Sequence, residues 1–375
     1  MDAPRRLVIV LVAGALVAVP AARALELESP RFGEIFFGAV RAAAPAGATS
    51  AELYFGDRRA AMRRVSGARV RFAFHHPPGR YDLRIRFERN GKLVRRDESR
   101  DVWLLPRSGQ QAARERSRDV RLSRQLGRLG RAYPGYAAFW IHDLASGTTA
   151  GWNSDASFPA ASTVKLGVLV AALQRYGPRP ERSDPWPMIR DLAVWSSSDA
   201  SNRLLVLLGG SESAGARIAQ DAMWRMGATS STFTGNYRLG TSISADAPRP
   251  LPFLTYRRTT AHDLGRMLFE LHAAALGNGL ALRRTGLSTH EARLGLALLL
   301  SSDPAGLNLG LFRPAVGPRL PMAQKQGWTT SIRHTAAILY GPRGPKIVVL
   351  LTYRSKIDAG ASLALGRRLA QLVAP

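Results

Sequence analysis

The chain has 375 residues, 46% of them hydrophobic and 21% charged, which is enough apolar material for two domains or one large core with an appended module and excludes wholesale disorder. Zero cysteines exclude disulfides, thiolate ligands and a cysteine nucleophile; the seven histidines are scattered, with no HExxH spacing or carboxylate cluster beside them, so no metal and no cofactor is expected. The formal charge of +26 is carried by arginines spread through both halves of the chain, a surface that attracts anionic partners such as an acidic envelope surface, while no zinc-finger spacing, basic heptad region or aromatic platform points to specific nucleic-acid binding.

Residues 1–24 read as a secretory signal peptide. Arg5 and Arg6 precede an apolar run from Leu7 to Val19, which meets Pro20 and the small-residue pattern Ala22-Arg23-Ala24, with cleavage after Ala24. The run is short for a bilayer span of about 20 residues. The mature chain is therefore expected to be exported, periplasmic or extracellular, with no stable membrane span after signal removal.

Residues 25–106 carry strand patterns and predict a small all-β, sandwich-like domain. In "YDLRIRFE" Tyr81, Leu83, Ile85 and Phe87 alternate with Asp82, Arg84, Arg86 and Glu88, the signature of a half-buried strand. Asn90-Gly91 follows, a dipeptide suited to the positive φ values of a type I′ turn, and "KLVRR" returns as the partner strand. "SAELYF" and "ARVRFAF" supply two more strands. Residues 107–119 turn polar and charged and read as a linker.

A second domain is expected over residues 120–375. Leu122, Leu126 and Leu129 recur at i, i+4 and i+7, so it opens with an amphipathic helix. "AAFWIHDLASGTTAGW" reads as a hairpin turned at Ser146-Gly147, and "ASFPAASTVKLGVLVAAL" as a helix with Pro159 near its start, where the missing N–H costs nothing. "RDLAVWSSSDASNRLLVLLGG" is helical on either side of a polar knot. In "TTAHDLGRMLFELHAAAL", Thr259 and Thr260 are capping candidates, with Asp263 placed for a box-like bond to Thr260. The chain ends as strand, strand, helix in "HTAAILYG", "KIVVLLTY" and "DAGASLALGRRLAQLV". Helices flanked by strands at both ends imply that the termini meet in one antiparallel sheet, an α+β domain with a helical cluster.

The chemistry-bearing pair is Ser162 and Lys165. Helical geometry brings i and i+3 together, so the two side chains are expected to hydrogen-bond. A neutral amine beside a hydroxyl takes its proton as the hydroxyl attacks a carbonyl carbon, provided desolvation or a nearby cation lowers the lysine pKa toward neutrality. "FPAASTVK", followed by "SSSDASN" between two helical stretches and "KQGW" before the terminal strands, resembles in order and spacing the serine β-lactamase and penicillin-binding protein superfamily, most closely its class A-like branch, over about Ser117 to Pro375.

The resemblance implies that Ser162 is the acylated serine and Lys165 the lysine of the first motif. In the second, the register that keeps the helical asparagine as Asn202 makes Ser196 the motif serine, with Ser197 and Ser198 where aspartate and asparagine are expected; a rival register takes Ser198-Asp199-Ala200. Lys325-Gln326-Gly327 corresponds to K-T-G, with Lys325 holding the motif serine and a substrate carboxylate and Gly327 letting the substrate lie against the strand edge. The implied oxyanion hole is the backbone N–H of Ser162 and Trp328. The implied substrate-binding set is Lys325, Gln326, Gly327, Ser198 and Asn202. His334 reads as a structural member of the next strand.

The departures from the pattern bear on turnover. Gln326 replaces a hydroxyl, Ser198 is shorter than asparagine, and the glutamate that activates the deacylating water in class A enzymes has no clear counterpart: Glu212 reads as a helix start and Asp246 is in no recognisable frame. The expectation is an exported serine hydrolase that forms an acyl-enzyme at Ser162 on an amide or ester carbonyl of a small-molecule or peptide-like substrate, with slow deacylation. The alternative is a catalytically inactive envelope module binding peptide or glycan.

Overall fold

A computed structural model describes residues 34–73, 76–237, 257–302 and 309–373. The signal-peptide reading of residues 1–24 and the residue Asp246 lie outside these.

The N-terminal region is built from β1 (Ile35–Phe37), β2 (Ala39–Ala43), β3 (Ser50–Phe55), β4 (Arg58–Arg64), β5 (Arg69–Ala73), β6 (Gly79–Arg89) and β7 (Lys92–Leu105). Five strands pair in the order β1-β7-β6-β3-β4, while β2 and β5 form a separate ribbon. Leu83, Ile85 and Phe87 point into a core shared with Val40, Leu53, Val70 and Phe72, as the alternation predicts. The β6–β7 turn has φ of 50° at Asn90 and 78° at Gly91, the left-handed pair that a two-residue hairpin loop demands.

The second region is α+β. Its strands are β8 (Ser117–Arg118), β9 (Tyr136–Asp143), β10 (Thr148–Trp152), β11 (Phe158–Pro159), β12 (Thr232–Phe233), β13 (Arg257–Thr259), β14 (Met322–Trp328), β15 (Ile332–Gly341) and β16 (Gly344–Tyr353). Its helices are α1 (Val120–Ala132), α2 (Lys165–Tyr176), α3 (Trp186–Val194), α4 (Ser198–Gly209), α5 (Glu212–Arg225), α6 (Ala261–Ala275), α7 (Gly279–Thr285), α8 (Thr289–Leu300), α9 (Arg313–Val316) and α10 (Ala359–Val373). The main sheet runs β14-β15-β16-β9-β10-β8, so strands from both ends of the region pair at β16–β9 and β14 is left as an edge.

Strand alternation divides the core. Ala138, Trp140, Val349 and Ile338 face α2, α6 and α8, while Phe139, Val348, Leu339 and Leu350 face α1 and α10. From Lys165 to Leu173 every residue of α2 is buried, which makes it the central helix of the cluster.

Two local expectations change. Pro159 lies in β11, paired with Arg258, and α2 begins at Lys165. The chain between them is a turn with successive i→i−3 bonds at Lys165, Leu166 and Gly167, because Thr163 ties back to the Ala160 carbonyl through both its N–H and its hydroxyl. Residues 107–119, expected as a linker, are fastened along the second region: Ser108 Oγ donates to Gly341 O, Ala113 N to Leu144 O, and Ser117–Arg118 pair with β10. Ile35, Phe37 and Leu105 enter the same core as α2. The Phe37 ring meets His272 edge-on at 6.3 Å.

Phe37 thus joins the two regions through one apolar core. Phe37→Ala is expected to cost about 3–5 kcal/mol, read as a lower urea midpoint, with N-terminal and C-terminal probes still unfolding together; separate transitions in the parent protein would refute the shared core.

Candidate active site

Ser162 sits between β11 and α2 on a turn held from three sides. Ala161 before it has φ of 45°, a left-handed conformation uncommon for a residue with a side chain. His334 Nε2 bonds Pro159 O at 2.8 Å while its Nδ1 accepts from Thr352 N at 3.2 Å, which makes Nε2 the protonated nitrogen. Burial pushes this imidazole down to about 4, so it is neutral and fixes β15 to the turn, in keeping with its structural reading. On the third side is Gly327: a Cβ there would lie 3.0 Å from Ser162 N and 3.1 Å from Ala160 O. The glycine therefore makes room for the serine's own backbone, whereas the sequence suggested room for substrate.

The Ser162 hydroxyl and N–H make no hydrogen bond to protein among the described residues. The expected i, i+3 bond to Lys165 is not formed, because Ser162 lies in the turn ahead of the helix and the amine is directed elsewhere. Lys165 Nζ donates to Ser196 O at 2.6 Å and Ser198 Oγ at 3.2 Å. Lys325 Nζ donates to Ser196 Oγ at 2.6 Å and Gln326 O at 3.0 Å. Ser196 thus presents its carbonyl to one lysine and its hydroxyl to the other, with φ of 57°. Of the two registers left open by the sequence, the one centred on Ser196 has the serine that meets Lys325.

Both amines are buried, Lys165 at 0% and Lys325 at 1% exposure. Desolvation, reinforced by the Lys325 and Arg257 charges, brings Lys165 down to about 6; desolvation brings Lys325 down to about 7. No carboxylate forms an ion pair with either among the described residues.

Asn202 departs from its expected substrate-binding role. The Asn202 amide is buried and used on backbone, donating to Tyr237 O at 2.6 Å and accepting from Tyr237 N at 2.8 Å. Gln326 alternates with Lys325 and Gly327 and so turns to the opposite face of β14. It lines a cavity of about 310 Å³ together with Gly327, Trp328, Arg333 and Leu363, and its amide oxygen and nitrogen are buried without a partner among the described residues. Trp328 and Trp195 are both exposed, and Arg333 stacks on Trp328 at 4.9 Å. Glu212 begins α5, as its sequence context indicates, and its carboxylate accepts from Asn236.

Sequence reasoning missed Tyr237. Its ring lies 4.3 Å from Lys165 Nζ, Arg257 stacks on it at 4.0 Å, and its hydroxyl donates to Ala161 O at 3.3 Å. Burial raises this phenol to about 12. Nothing in "TGNYRLG" marks the tyrosine, since its position follows from the distant Asn202 clamp.

The model of a family described as the beta-lactamase enzyme family matches residues 121–178 and 188–374. Among solved structures, PBP-A is similar at 18% identity over 70% of this chain and 98% of its own, with a TM-score of 0.53. A PBP-A variant solved as an acyl-enzyme complex with penicillin G has 19% identity, 69% and 98% coverage and a TM-score of 0.53. A beta lactamase from Xanthomonas campestris has 18% identity, 68% and 96% coverage and a TM-score of 0.52. These likenesses show the fold. No curated protein sequence matches the chain.

The two lysines set a pH dependence of stability. Unfolded, each amine titrates near ~10.4, and folded near 6 and 7, so the unfolded chain binds more protons in between and stability rises with pH across that interval. The urea midpoint should be higher at pH 9 than at pH 6, and Lys165→Met/Lys325→Met should flatten the rise while recovering about 1–3 kcal/mol near neutrality. An unchanged slope in the double variant would mean that the amines stay charged in the fold.

Proposed function

Because the chain belongs to the beta-lactamase enzyme family, we propose that it is an exported serine hydrolase that forms an acyl-enzyme at Ser162 and releases it slowly. The observation that carries this reading is the convergence of two desolvated lysines on Ser196 beside a serine whose hydroxyl and N–H are both unpartnered among the described residues. A purely structural serine and a snorkelling lysine would not explain an amine at 0% exposure held, among the described residues, without a carboxylate.

In the proposed reaction Lys165, neutral above its lowered pKa, takes the proton from Ser162 Oγ as that oxygen bonds the carbonyl carbon of an amide or ester. Hydrogen bonds in a substrate-free site tighten on substrate binding, so the amine's present partners are compatible with this step. The Ser162 and Trp328 backbone N–H groups receive the oxyanion. As the C–N or C–O bond breaks, Ser196 Oγ gives its proton to the departing atom and regains one from Lys165. Lys325 holds the Ser196 hydroxyl and supplies positive field for an anionic substrate group, and Ser198 steadies Lys165.

Water must then hydrolyse the ester. The ring of Tyr237, with Arg257 behind it, is what meets the Lys165 amine from the loop after α5. An aromatic carbon surface activates no water, no carboxylate meets the amine among the described residues, and a step without a general base is slower by about 10²–10⁴. The long-lived acyl-enzyme, with penicillin-type compounds as acylating probes, follows from that surface.

Intact-protein mass spectrometry after exposure to a penicillin and a cephalosporin should find an adduct on the parent protein that persists through a timed chase and is absent from Ser162→Ala. No adduct with either drug or with a broad fluorophosphonate would overturn the enzyme reading in favour of a peptide- or glycan-binding envelope module. The rate of acylation should rise with pH through about 6 as Lys165 loses its proton and fall through about 7 as Lys325 does, the two apparent values belonging to the pair. A rate that climbs without a maximum to pH 9 would remove Lys325 from the charged role.

A further inference from the structure

The N-terminal region carries no part of the Ser162 site, yet it concentrates exposed charge and apolar surface at one end. β7 runs from its turn at Lys92 to Leu105 in the shared core, a span of roughly 40 Å at strand rise. The turn end therefore lies far from the interface with the second region, where Trp103 Nε1 bonds Ser301 Oγ. At that far end Lys92, Leu93 and Val94 are all exposed, although successive strand residues point to opposite faces. The pairing of β6 with β7 shifts register here and leaves Val94 without a partner in a bulge, so the hairpin tip presents two apolar side chains to solvent, Leu93 at 53% and Val94 at 43% exposure.

Basic side chains surround this tip. Arg64 pairs with Ser50, which also pairs with Glu88 beside the turn, so the end of β4 lies at the same end of the sheet; Arg63 precedes it. Arg95 reaches Ala43 O, and Ala43 pairs with Arg69, which brings the β2–β5 ribbon to the tip as well. On the ribbon's solvent face Arg41 stands directly opposite Arg71, both exposed and with no ion pair among the described residues. Like charges directly opposite on neighbouring strands destabilise a sheet. Folding gives no reason for this pair, whereas an anionic surface does, since the guanidinium fork matches phosphate bidentately.

We propose that the β6–β7 hairpin tip and the adjoining arginine face dock the protein on an anionic phospholipid membrane, with Leu93 and Val94 entering the headgroup region and Lys92, Arg63, Arg64, Arg41 and Arg71 meeting lipid phosphates. The apolar pair favours a lipid surface over a soluble polyanion, which would engage the arginines and leave Leu93 and Val94 in water. Docking holds the second region away from the bilayer by the length of β7. The proposal is independent of any reactivity at Ser162.

The test is vesicle co-sedimentation of the chain lacking residues 1–24, with phosphatidylcholine alone and with phosphatidylcholine mixed with phosphatidylglycerol. Binding is expected only to the anionic vesicles, falling with added salt. Arg63→Gln/Arg64→Gln should weaken it about thirtyfold, from the typical worth of two basic residues at an anionic surface. Leu93→Asp/Val94→Asp, exposed and so harmless to folding, should weaken it tenfold or more even at low salt, and the fluorescence of Leu93→Trp should shift to the blue on the anionic vesicles alone. Failure to bind them, equal binding to phosphatidylcholine, or binding insensitive to the Leu93/Val94 change would overturn the proposal; capture by heparin that survives that change, without vesicle binding, would assign the face to a soluble polyanion instead.

Discussion

Keeping two lysine amines dry at the edge of a sheet is the constraint on which the rest of the site depends. An ammonium removed from water without a carboxylate partner is strongly disfavoured and responds by losing its proton. Among the described residues the amines bond backbone and serine oxygens, Ser196 O and Ser198 Oγ for Lys165 and Ser196 Oγ and Gln326 O for Lys325, with the Tyr237 ring covering Lys165. A carboxylate in either place would hold the neighbouring amine charged and end its use as a base. The burial of α2 from Lys165 through Leu173 is thus the source of the site's chemistry as well as of the domain's core.

The same constraint explains where backbone strain collects. Ser196 can face one lysine with its carbonyl and the other with its hydroxyl only by turning the chain sharply, and its φ of 57° accomplishes that turn. Ala161 at 45° does the equivalent for Ser162, lifting it out of the helix so that its hydroxyl and N–H bond no protein group among the described residues. Such conformations persist only where surroundings over-determine them. Here the surroundings are Thr163 on Ala160, neutral His334 on Pro159, Tyr237 on Ala161 and the bare Cα of Gly327 against Ser162 N.

Periodic features were legible in the sequence because they are local. The alternation in β6, the Asn90-Gly91 turn and the antiparallel pairing of the terminal strands all follow from patterns within a few residues. The meeting of Ser162, Lys165, Ser196 and Lys325 in one region was legible only through the order and spacing of three separated segments. What escaped was set by contacts across sequence distance. The Asn202 amide is spent on Tyr237, 35 positions away, and the Cβ that Gly327 lacks would press against Ser162 N at 3.0 Å. Gln326 turns away from Lys325 for a simpler reason: neighbours on a strand point to opposite faces.

Residues 107–119 show why composition misled about the junction. A polar, arginine-rich stretch resembles a free linker, but its backbone groups are bonded to Leu144, Gly147 and β10, the Ser108 hydroxyl donates to Gly341 O, and Gly109 packs against Phe37 and Tyr340. Tyr340 in turn bonds His272, whose Nε2 returns to Gln111 O, closing a buried circuit between the strap, the sheet and α6. Burial holds that imidazole neutral, near 4, so the circuit consists of uncharged hydrogen bonds that are insensitive to salt. The N-terminal region is therefore anchored through β1, β7 and the strap to the core that buries Lys165, and a load on its distal hairpin is carried by packed side chains and not by a flexible tether.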